Sequence, residues 1–118
     1  MHRTLIVARL DPGHQADVAK IFADSDATDL PHMIGVSRRT LFGFHGLYFH
    51  LVEADSDVSP SLYRARSHPL YQEVNTRLAE HMRPYDPNWA EPKDAMAQQF
   101  YSWSADAGQP VPSNRTEG

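Results

Sequence analysis

The sequence of 118 residues contains no cysteine. This absence excludes disulfides, thiol nucleophiles and zinc sites built on thiolates, and it fits a protein of the reducing cytoplasm. The sequence also lacks a run of about 20 apolar residues and a charged-then-apolar leader, so we expect neither a membrane span nor a signal peptide. It has no basic run, and its formal net charge is −4, which argues against nucleic acid as a partner.

The chain nevertheless has what one folded domain needs. Hydrophobic residues make up 41% of it, an ordinary share for a globular protein. A chain of this length can bury about two thirds of the surface that it exposes when unfolded. We predict one domain over residues 1–107 and a disordered tail over residues 108–118, which are polar and rich in proline.

Apolar periodicity and turn residues predict the element order β-α-β-β-α-β. Right-handed crossovers would make the strands on either side of each helix parallel to each other. The result is an α+β fold, a four-stranded antiparallel sheet with both helices on one face, as in ferredoxin-like proteins. The predicted elements are a strand at 3–10, a helix starting at Asp11, a loop at 25–31, strands at 35–45 and 47–54, a helical segment within 55–85 that Pro69 interrupts, and a strand at 95–105.

The second and third predicted strands form a hairpin with its turn at His45 and Gly46, where glycine supplies the positive φ that tight turns need. Side chains alternate between the faces of a sheet, so this register separates two sets. We expect the first, nearly all apolar set to meet the helices and the second to lie on the open face. The first set is Thr40, Phe42, Phe44, Leu47, Phe49 and Leu51; the second is Arg39, Leu41, Gly43, Tyr48, His50 and Val52.

The second set is too apolar to face water, because it would expose a large apolar patch. A second copy of the chain could cover it, or it could line a ligand pocket; we expect both, in a homodimer whose sheets help enclose cavities. Arg39 and His50 would then be the few polar groups of a mainly apolar small-molecule site. The alternative stays open that His50 is a structural histidine and Arg39 pairs with an acidic residue.

Three motifs carry a family resemblance: LFGFHGLYFHL at 41–51, RSHPL at 66–70 and FYSW at 100–103. From about residue 3 to residue 103 the chain resembles the aromatic polyketide cyclases of the tetracenomycin cyclase type, and it looks similar to members associated with spore-pigment clusters. The resemblance implies a ferredoxin-like homodimer of the dimeric α+β barrel type in a type II polyketide pathway for an antibiotic or pigment.

The reaction that the resemblance implies is a regiospecific intramolecular aldol cyclisation with dehydration, on a small-molecule polyketide, with no metal or organic cofactor. The chain would contact the polyketide synthase or an acyl carrier protein only transiently. Asp26, Arg39 and His50 stand at positions that line the pocket in the family. Ser25 departs from the pattern, because some members carry histidine there, which places in doubt a His-Asp base at the end of the first helix.

These residues suit the chemistry. His50, with an ordinary pKa near 6.5, has the strength of a base at neutral pH. Arg39 can stabilise enolate or alkoxide charge as a fixed cation. Asp26 could orient either of them or act as the base itself. The candidates for substrate binding are Tyr48, Leu41, Val52 and His32, and we expect no metal site, because His2, His14 and His81 show no ligand spacing.

Three rival functions remain compatible with the sequence, because a fold does not determine chemistry. The same scaffold hosts cofactor-free monooxygenases that act on aromatic polyketides. A non-catalytic module could shape the polyketide without accelerating its reaction. A purely structural dimer would have a collapsed interior.

Overall fold

The computed structural model describes residues 1–105, so the tail predicted at 108–118 lies outside the described residues. The strands are β1 (His2–Leu10), β2 (Arg38–Phe44), β3 (Leu47–Ala54) and β4 (Met82–Pro84), and the helices are α1 (Gln15–Asp26), α2 (Leu30–Ile34), α3 (Ser59–Ala65) and α4 (Pro69–Ala79). Short 3-10 turns lie at Pro12–His14 and Pro92–Ala95. Within residues 1–105, no helix is both long and apolar enough to cross a bilayer.

The four strands form one antiparallel sheet in the order β2-β3-β1-β4. Strands β1 and β2 both run antiparallel to β3, so they are parallel to each other, as the crossover through α1 requires. Helices α1 and α4 pack on one face through Val18, Phe22 and Leu78. The predicted α+β, ferredoxin-like arrangement is therefore confirmed.

The β2–β3 hairpin has the register that the sequence predicts, from Phe44 opposite Leu47 to Arg39 opposite Val52. His45 and Gly46 both have positive φ, 48° and 79°, which is the signature of a two-residue turn whose twist matches that of the strands. The turn dipeptide alone therefore predicts correctly which residue of β3 lies opposite each residue of β2.

Proline positions explain the helix starts. At α4 the ring of Pro69 occupies the first helical position, where a missing N–H costs nothing, and His68 Nδ1 accepts from the N–H of Leu70 at 3.1 Å. The helical segment therefore breaks at Pro69, as expected. The predicted loop at 25–31 is partly wrong, because Pro31 lies in the first turn of α2, which ends at Gly35 with φ 91°.

The predicted last strand at 95–105 is wrong. The fourth strand is β4, which follows α4 within three residues and pairs with the free edge of β1 at Ala8–Leu10. Residues 95–105 reach that edge only at Met96, which bridges Ile6, and at Ala97, whose N–H donates to the carbonyl of Leu5 at 2.7 Å. The chain leaving α4 thus occupies the edge at Ala8–Leu10, and the later segment pairs only with Leu5 and Ile6.

The assignment of the two hairpin faces is also wrong, and the structure reverses it. Tyr48 is only 2% exposed and lies under α1 with Val18 and Phe22, whereas Phe44 is 63% exposed. The face with Arg39 and His50 therefore meets the helices. Burial of these polar groups is possible because Asp26, at the end of α1, neutralises Arg39, a pairing that the strand sequences do not contain.

The open face of the sheet carries an apolar patch. Phe42 and Phe44 are exposed on it, and the strand registers place them in one layer with half-buried residues of β1 and β3. The half-buried residues of this layer are Leu5, Val7, Phe49 and Leu51. A patch of this kind is uncommon on a protein that stays monomeric.

Substitution of Val18 tests whether the core lies between α1 and the sheet. Val18 is 1% exposed and sits between α1 and the sheet. We expect Val18→Ala to lower the free energy of unfolding by about 1–3 kcal/mol, because the lost methyl groups leave a cavity. Urea unfolding measures this, with Glu73→Ala, an exposed position on α4, as the control expected to change stability by less than about 0.5 kcal/mol. Equal effects of the two substitutions would contradict the described packing.

Candidate active site

A cavity of about 330 Å³ lies between the sheet and the helices, on the face opposite the exposed phenylalanines. Strand β1 contributes Ile6 and Ala8, strand β3 contributes Tyr48 and His50, and α1 contributes Phe22. The volume is at the lower end of the range for small-molecule sites, and the lining is mainly apolar. The described part of one chain lines this cavity, and the cavity lies on the helix side of the sheet, whereas the sequence predicted a pocket on the open face.

Helix α4 closes the cavity. Its apolar stripe, Tyr71, Val74 and Leu78, continues to Met82, and all four residues line the space. No residue of α4 is fully buried, although the stripe has the spacing of a core-facing helix. The stripe therefore borders the cavity along its length, and Leu78 and Met82 also pack against the core cluster.

Arg39 and His50, which line one wall, form a chain of polar side chains with Asp26, which is not among the lining residues. Arg39 Nη2 donates to Asp26 Oδ1 at 2.8 Å, and Arg39 Nε lies 3.2 Å from both carboxylate oxygens. On its other side, Arg39 Nη1 lies 2.9 Å from His50 Nε2. Arginine can only donate, so His50 Nε2 must be the acceptor, and the proton of the neutral ring is on Nδ1.

Burial sets the electrostatics of this group. The Arg39 side chain is 14% exposed, whereas that of Asp26 is 41% exposed. Burial of His50, with a smaller contribution from the positive charge of Arg39, lowers the pKa of His50 from 6.5 to about 3. His50 is therefore neutral at neutral pH, and the expectation that it is a base of ordinary strength is wrong.

Aromatic residues hold the group in place. The guanidinium carbon of Arg39 lies 4.7 Å from the centre of the Phe22 ring, and Phe22 meets His50 edge-on with ring centres 5.0 Å apart. Burial raises the pKa of Tyr48, and the charge of Arg39 opposes this only in part. Tyr48 lines the cavity and keeps its hydroxyl proton, so it can act as a donor.

The structure brings together Asp26, Arg39, His50 and Tyr48, but it separates the other substrate-binding candidates from them. Among the described residues, Leu41 packs against the core cluster around Tyr48, and Val52 packs with Ala54 and Val58 in a second cluster. Neither lines the cavity, and His32 is exposed on α2, outside the lining. Side-chain alternation correctly grouped Leu41 and Val52 with Arg39 and His50 on one face, but it could not show how far along the strands the cavity extends.

Several lining residues were not predicted as part of a site. Ser25 is buried and lines the cavity. Tyr71 and Trp89 add aromatic surface, and Arg83 adds a second cation. The apolar stripe of α4 was the only sequence signal for this wall, and it has the same pattern as a helix that packs in a core.

The cavity does not resemble a metal centre. Of the residues that line it, His50 alone is of a type that commonly binds metals, and its Nε2 already accepts from Arg39. The described lining is also without a glycine-rich phosphate loop. The arrangement can hold an apolar, planar molecule and place a cation and two neutral donors near its oxygens.

The low pKa of His50 predicts how stability depends on pH. The unfolded chain binds more protons than the folded chain between pH 6.5 and about 3, so this contribution is fully present above pH 6.5 and is lost as the pH falls toward 3. His50→Gln keeps an acceptor for Arg39 but cannot be protonated. We expect wild type to lose more stability than His50→Gln between neutral pH and about pH 4, as measured by urea unfolding. Equal losses would show that His50 titrates normally.

Comparison with known proteins identifies the family and agrees with the fold. Residues 2–104 match the family model described as polyketide synthesis cyclase. The chain is 54% identical to tetracenomycin F2 cyclase of Streptomyces glaucescens over 104 residues, 88% of this chain and 95% of that protein. It is 39% identical to polyketide synthase CurG of Streptomyces cyaneus over 107 residues, 90% of this chain and all of that protein.

A solved structure of a relative has the same fold as this chain. The structure of tetracenomycin F2 cyclase from Streptomyces glaucescens, described as a type II polyketide cyclase, matches with a TM-score of 0.85 and 53% identity, over 89% of this chain and 99% of that one. The likeness therefore covers most of the described fold. On sequence and structure together, the chain belongs to the polyketide synthesis cyclase family.

Proposed function

We propose that this chain catalyses the regiospecific intramolecular aldol cyclisation, with dehydration, of an aromatic polyketide intermediate in the biosynthesis of an antibiotic or pigment. The observation that carries the proposal is a paired cation, Arg39, held between Asp26 and His50 at the wall of a mainly apolar cavity. A polyketide presents rings and methylenes to apolar walls and carbonyl oxygens to such a cation.

The reaction needs one proton acceptor and one stabilised oxygen. A methylene carbon between two carbonyls loses a proton, and the enolate carbon attacks a ketone carbon of the same molecule, forming the new carbon–carbon bond. The ketone oxygen becomes an alkoxide and takes up a proton. Loss of that hydroxyl group together with a neighbouring proton, as water, leaves a carbon–carbon double bond and leads to the aromatic ring.

Arg39 is the residue we assign to oxyanion stabilisation. Its side chain is mostly buried, and a fixed cation acts more strongly in such surroundings than in water. It cannot be the base, because a guanidinium does not release its proton. It therefore stabilises the charge of the enolate and then of the alkoxide.

Asp26 is the proton acceptor in this proposal, and His50 is a positioning residue and donor. A pKa of about 3 makes His50 a poor base at neutral pH. Its Nε2 holds Arg39 in place, and its Nδ1 proton can be donated to a substrate carbonyl. Asp26 is partly exposed, so the proton it accepts can pass on to water.

The shape of the cavity supplies the larger share of the effect. A positioned acid or base contributes about 10²–10⁴-fold to a rate. Holding a flexible chain in a reactive conformation can contribute on the order of 7–11 kcal/mol, which exceeds the acid–base contribution. We therefore propose that α4 and Trp89 fold the polyketide so that one methylene meets one ketone, and that no cofactor is required.

The exposed apolar patch on the sheet supports a proposal for the oligomeric state. The open sheet face of Phe42 and Phe44 supports a homodimer, in which a second copy covers this patch. Transient contact with the polyketide synthase or an acyl carrier protein, in the cytoplasm, would deliver the substrate.

Arg39 and its neighbour Arg38 offer a matched test. Arg38 is exposed, whereas Arg39 lies at the cavity. We expect Arg39→Gln to lower the rate of cyclised product formation by about 10²–10³-fold, because one oxyanion donor is lost. Arg38→Gln should leave the rate unchanged. The measurement is product formation by chromatography and mass after addition of each variant to a minimal polyketide synthase reaction. Equal rates for the two variants would exclude this role for Arg39.

The proposed dimer interface has its own test. We expect sedimentation to show a dimer for wild type, and we expect Phe42→Ser combined with Phe44→Ser to raise the dimer dissociation constant by at least about tenfold, since apolar burial drives such association. Met33→Ser, which removes an exposed apolar side chain on α2, is the control and should leave the dimer intact. A monomeric wild type, or an unchanged dimer in the double variant, would contradict the proposed interface.

A further inference from the structure

Two histidines that are 67 positions apart in the sequence meet at the surface beside α1. The Nδ1 atoms of His14 and His81 are 2.8 Å apart, and the ring centres are 5.1 Å apart. Asp17 Oδ2 lies 4.0 Å from His81 Nδ1. One ligand atom from each of these three residues lies within 4.8 Å of the other two.

We propose that His14, Asp17 and His81 bind one divalent transition-metal ion, with zinc as the best-fitting ion. The proposed site is separate from the cavity, since none of the three residues lines it. The ion would join the start of α1 to the chain just after α4. It has a structural role and takes no part in the cyclisation.

The contact between the two rings needs a positive charge or a proton between them. Two neutral imidazoles that turn bare nitrogen lone pairs toward each other repel, so a separation of 2.8 Å requires a shared proton or a bound cation. Two imidazole nitrogens and one carboxylate are ligands that zinc accepts, whereas magnesium and calcium prefer oxygen alone. The donor set therefore favours a zinc-type ion.

The distances are compatible with coordination. Bonds of about 2.0–2.1 Å in a tetrahedron place neighbouring ligand atoms roughly 3.3 Å apart. The separations of 2.8 Å and 4.0 Å lie on either side of this value, and side-chain rotations can bring both to it. Three protein ligands leave the fourth position of the tetrahedron for a water molecule.

The backbone holds the ligands in place without help from a metal. The N–H of His14 donates to the carbonyl of Asp11 at 2.9 Å, and Asp17 follows three residues later, on the same side of the first turn of α1. The N–H of His81 donates to the carbonyl of Leu78 at 2.9 Å. Asp17 is exposed, so an ion can reach the three residues from solvent.

The position of these residues gives the ion a consequence for the fold. His81 lies between Ala79 and Met82, which both line the cavity, and α1 contributes Phe22 to the opposite wall. Binding of an ion to the folded chain alone would stabilise it in proportion to the logarithm of the ion concentration. We therefore expect zinc to raise the melting temperature by tying together two helices that flank the cavity.

The test is calorimetric titration of zinc chloride into chelator-treated, desalted protein. Wild type should bind one zinc ion per chain, and His14→Asn and His81→Asn should each weaken binding by at least about tenfold, the loss expected for a ligand. His45→Asn is the matched control, because His45 is exposed at the hairpin turn and asparagine tolerates its φ of 48°. This variant should bind zinc as wild type does.

Two further measurements separate a built site from adventitious binding. Circular dichroism shows whether each variant is folded, and Asp17→Asn offers a variant that keeps both rings. Long-range proton–nitrogen NMR spectra should show that zinc shifts the Nδ1 resonances of His14 and His81 and leaves that of His45 unchanged. The proposal is overturned if folded wild type shows no saturable binding, or if binding persists unchanged in His14→Asn and His81→Asn.

Discussion

The ion pair between Asp26 and Arg39 is the interaction on which the rest of the structure depends. A buried guanidinium is costly unless a charged partner accompanies it, and removing one partner of such a pair destabilises a fold strongly. Asp26 lies at the last turn of α1, so the pair fastens that helix to β2. The ion pair also favours the face of the hairpin that the helices cover, because Arg39 and His50 lie on that face and are hydrogen-bonded to each other. The cation of the cavity is thus a consequence of how the helix is attached.

The cavity is the second constraint, and it works against tight packing. Protein interiors are normally close-packed, and an unfilled space costs free energy in proportion to its size. Here the apolar stripe of α4 borders the space, and Val18, on α1, is packed as a normal core residue. Both helices contribute to the packed core, through Val18 and Leu78, and both border the cavity, α1 through Phe22 and α4 through Val74. The small domain therefore has a packed core and an interior cavity.

The sequence predicted local features well and distant pairings poorly. The hairpin register followed from the turn dipeptide, and the helix break followed from Pro69, because both depend on neighbouring residues alone. The choice of hairpin face could not be made from the strands, since both faces are largely apolar and the deciding partner, Asp26, lies in another element. The fourth strand was missed because the segment that pairs with the edge of β1 is set by where α4 ends in the fold, which the local pattern of residues 82–84 does not show. The pKa of His50 depends on burial, and the meeting of His14 with His81 depends on how α1 and α4 pack, so neither is visible in the sequence.

The measurement that tests the central claim most directly is a product assay without added cofactor and without oxygen. Purified protein is added under nitrogen to a minimal polyketide synthase reaction, and the products are compared by mass and ultraviolet spectrum. An aldol cyclase gives a more cyclised product that is isomeric with the shunt products or lighter by one water. No new product under nitrogen, with a product one oxygen heavier in air, would contradict this and indicate a cofactor-free monooxygenase on the same scaffold.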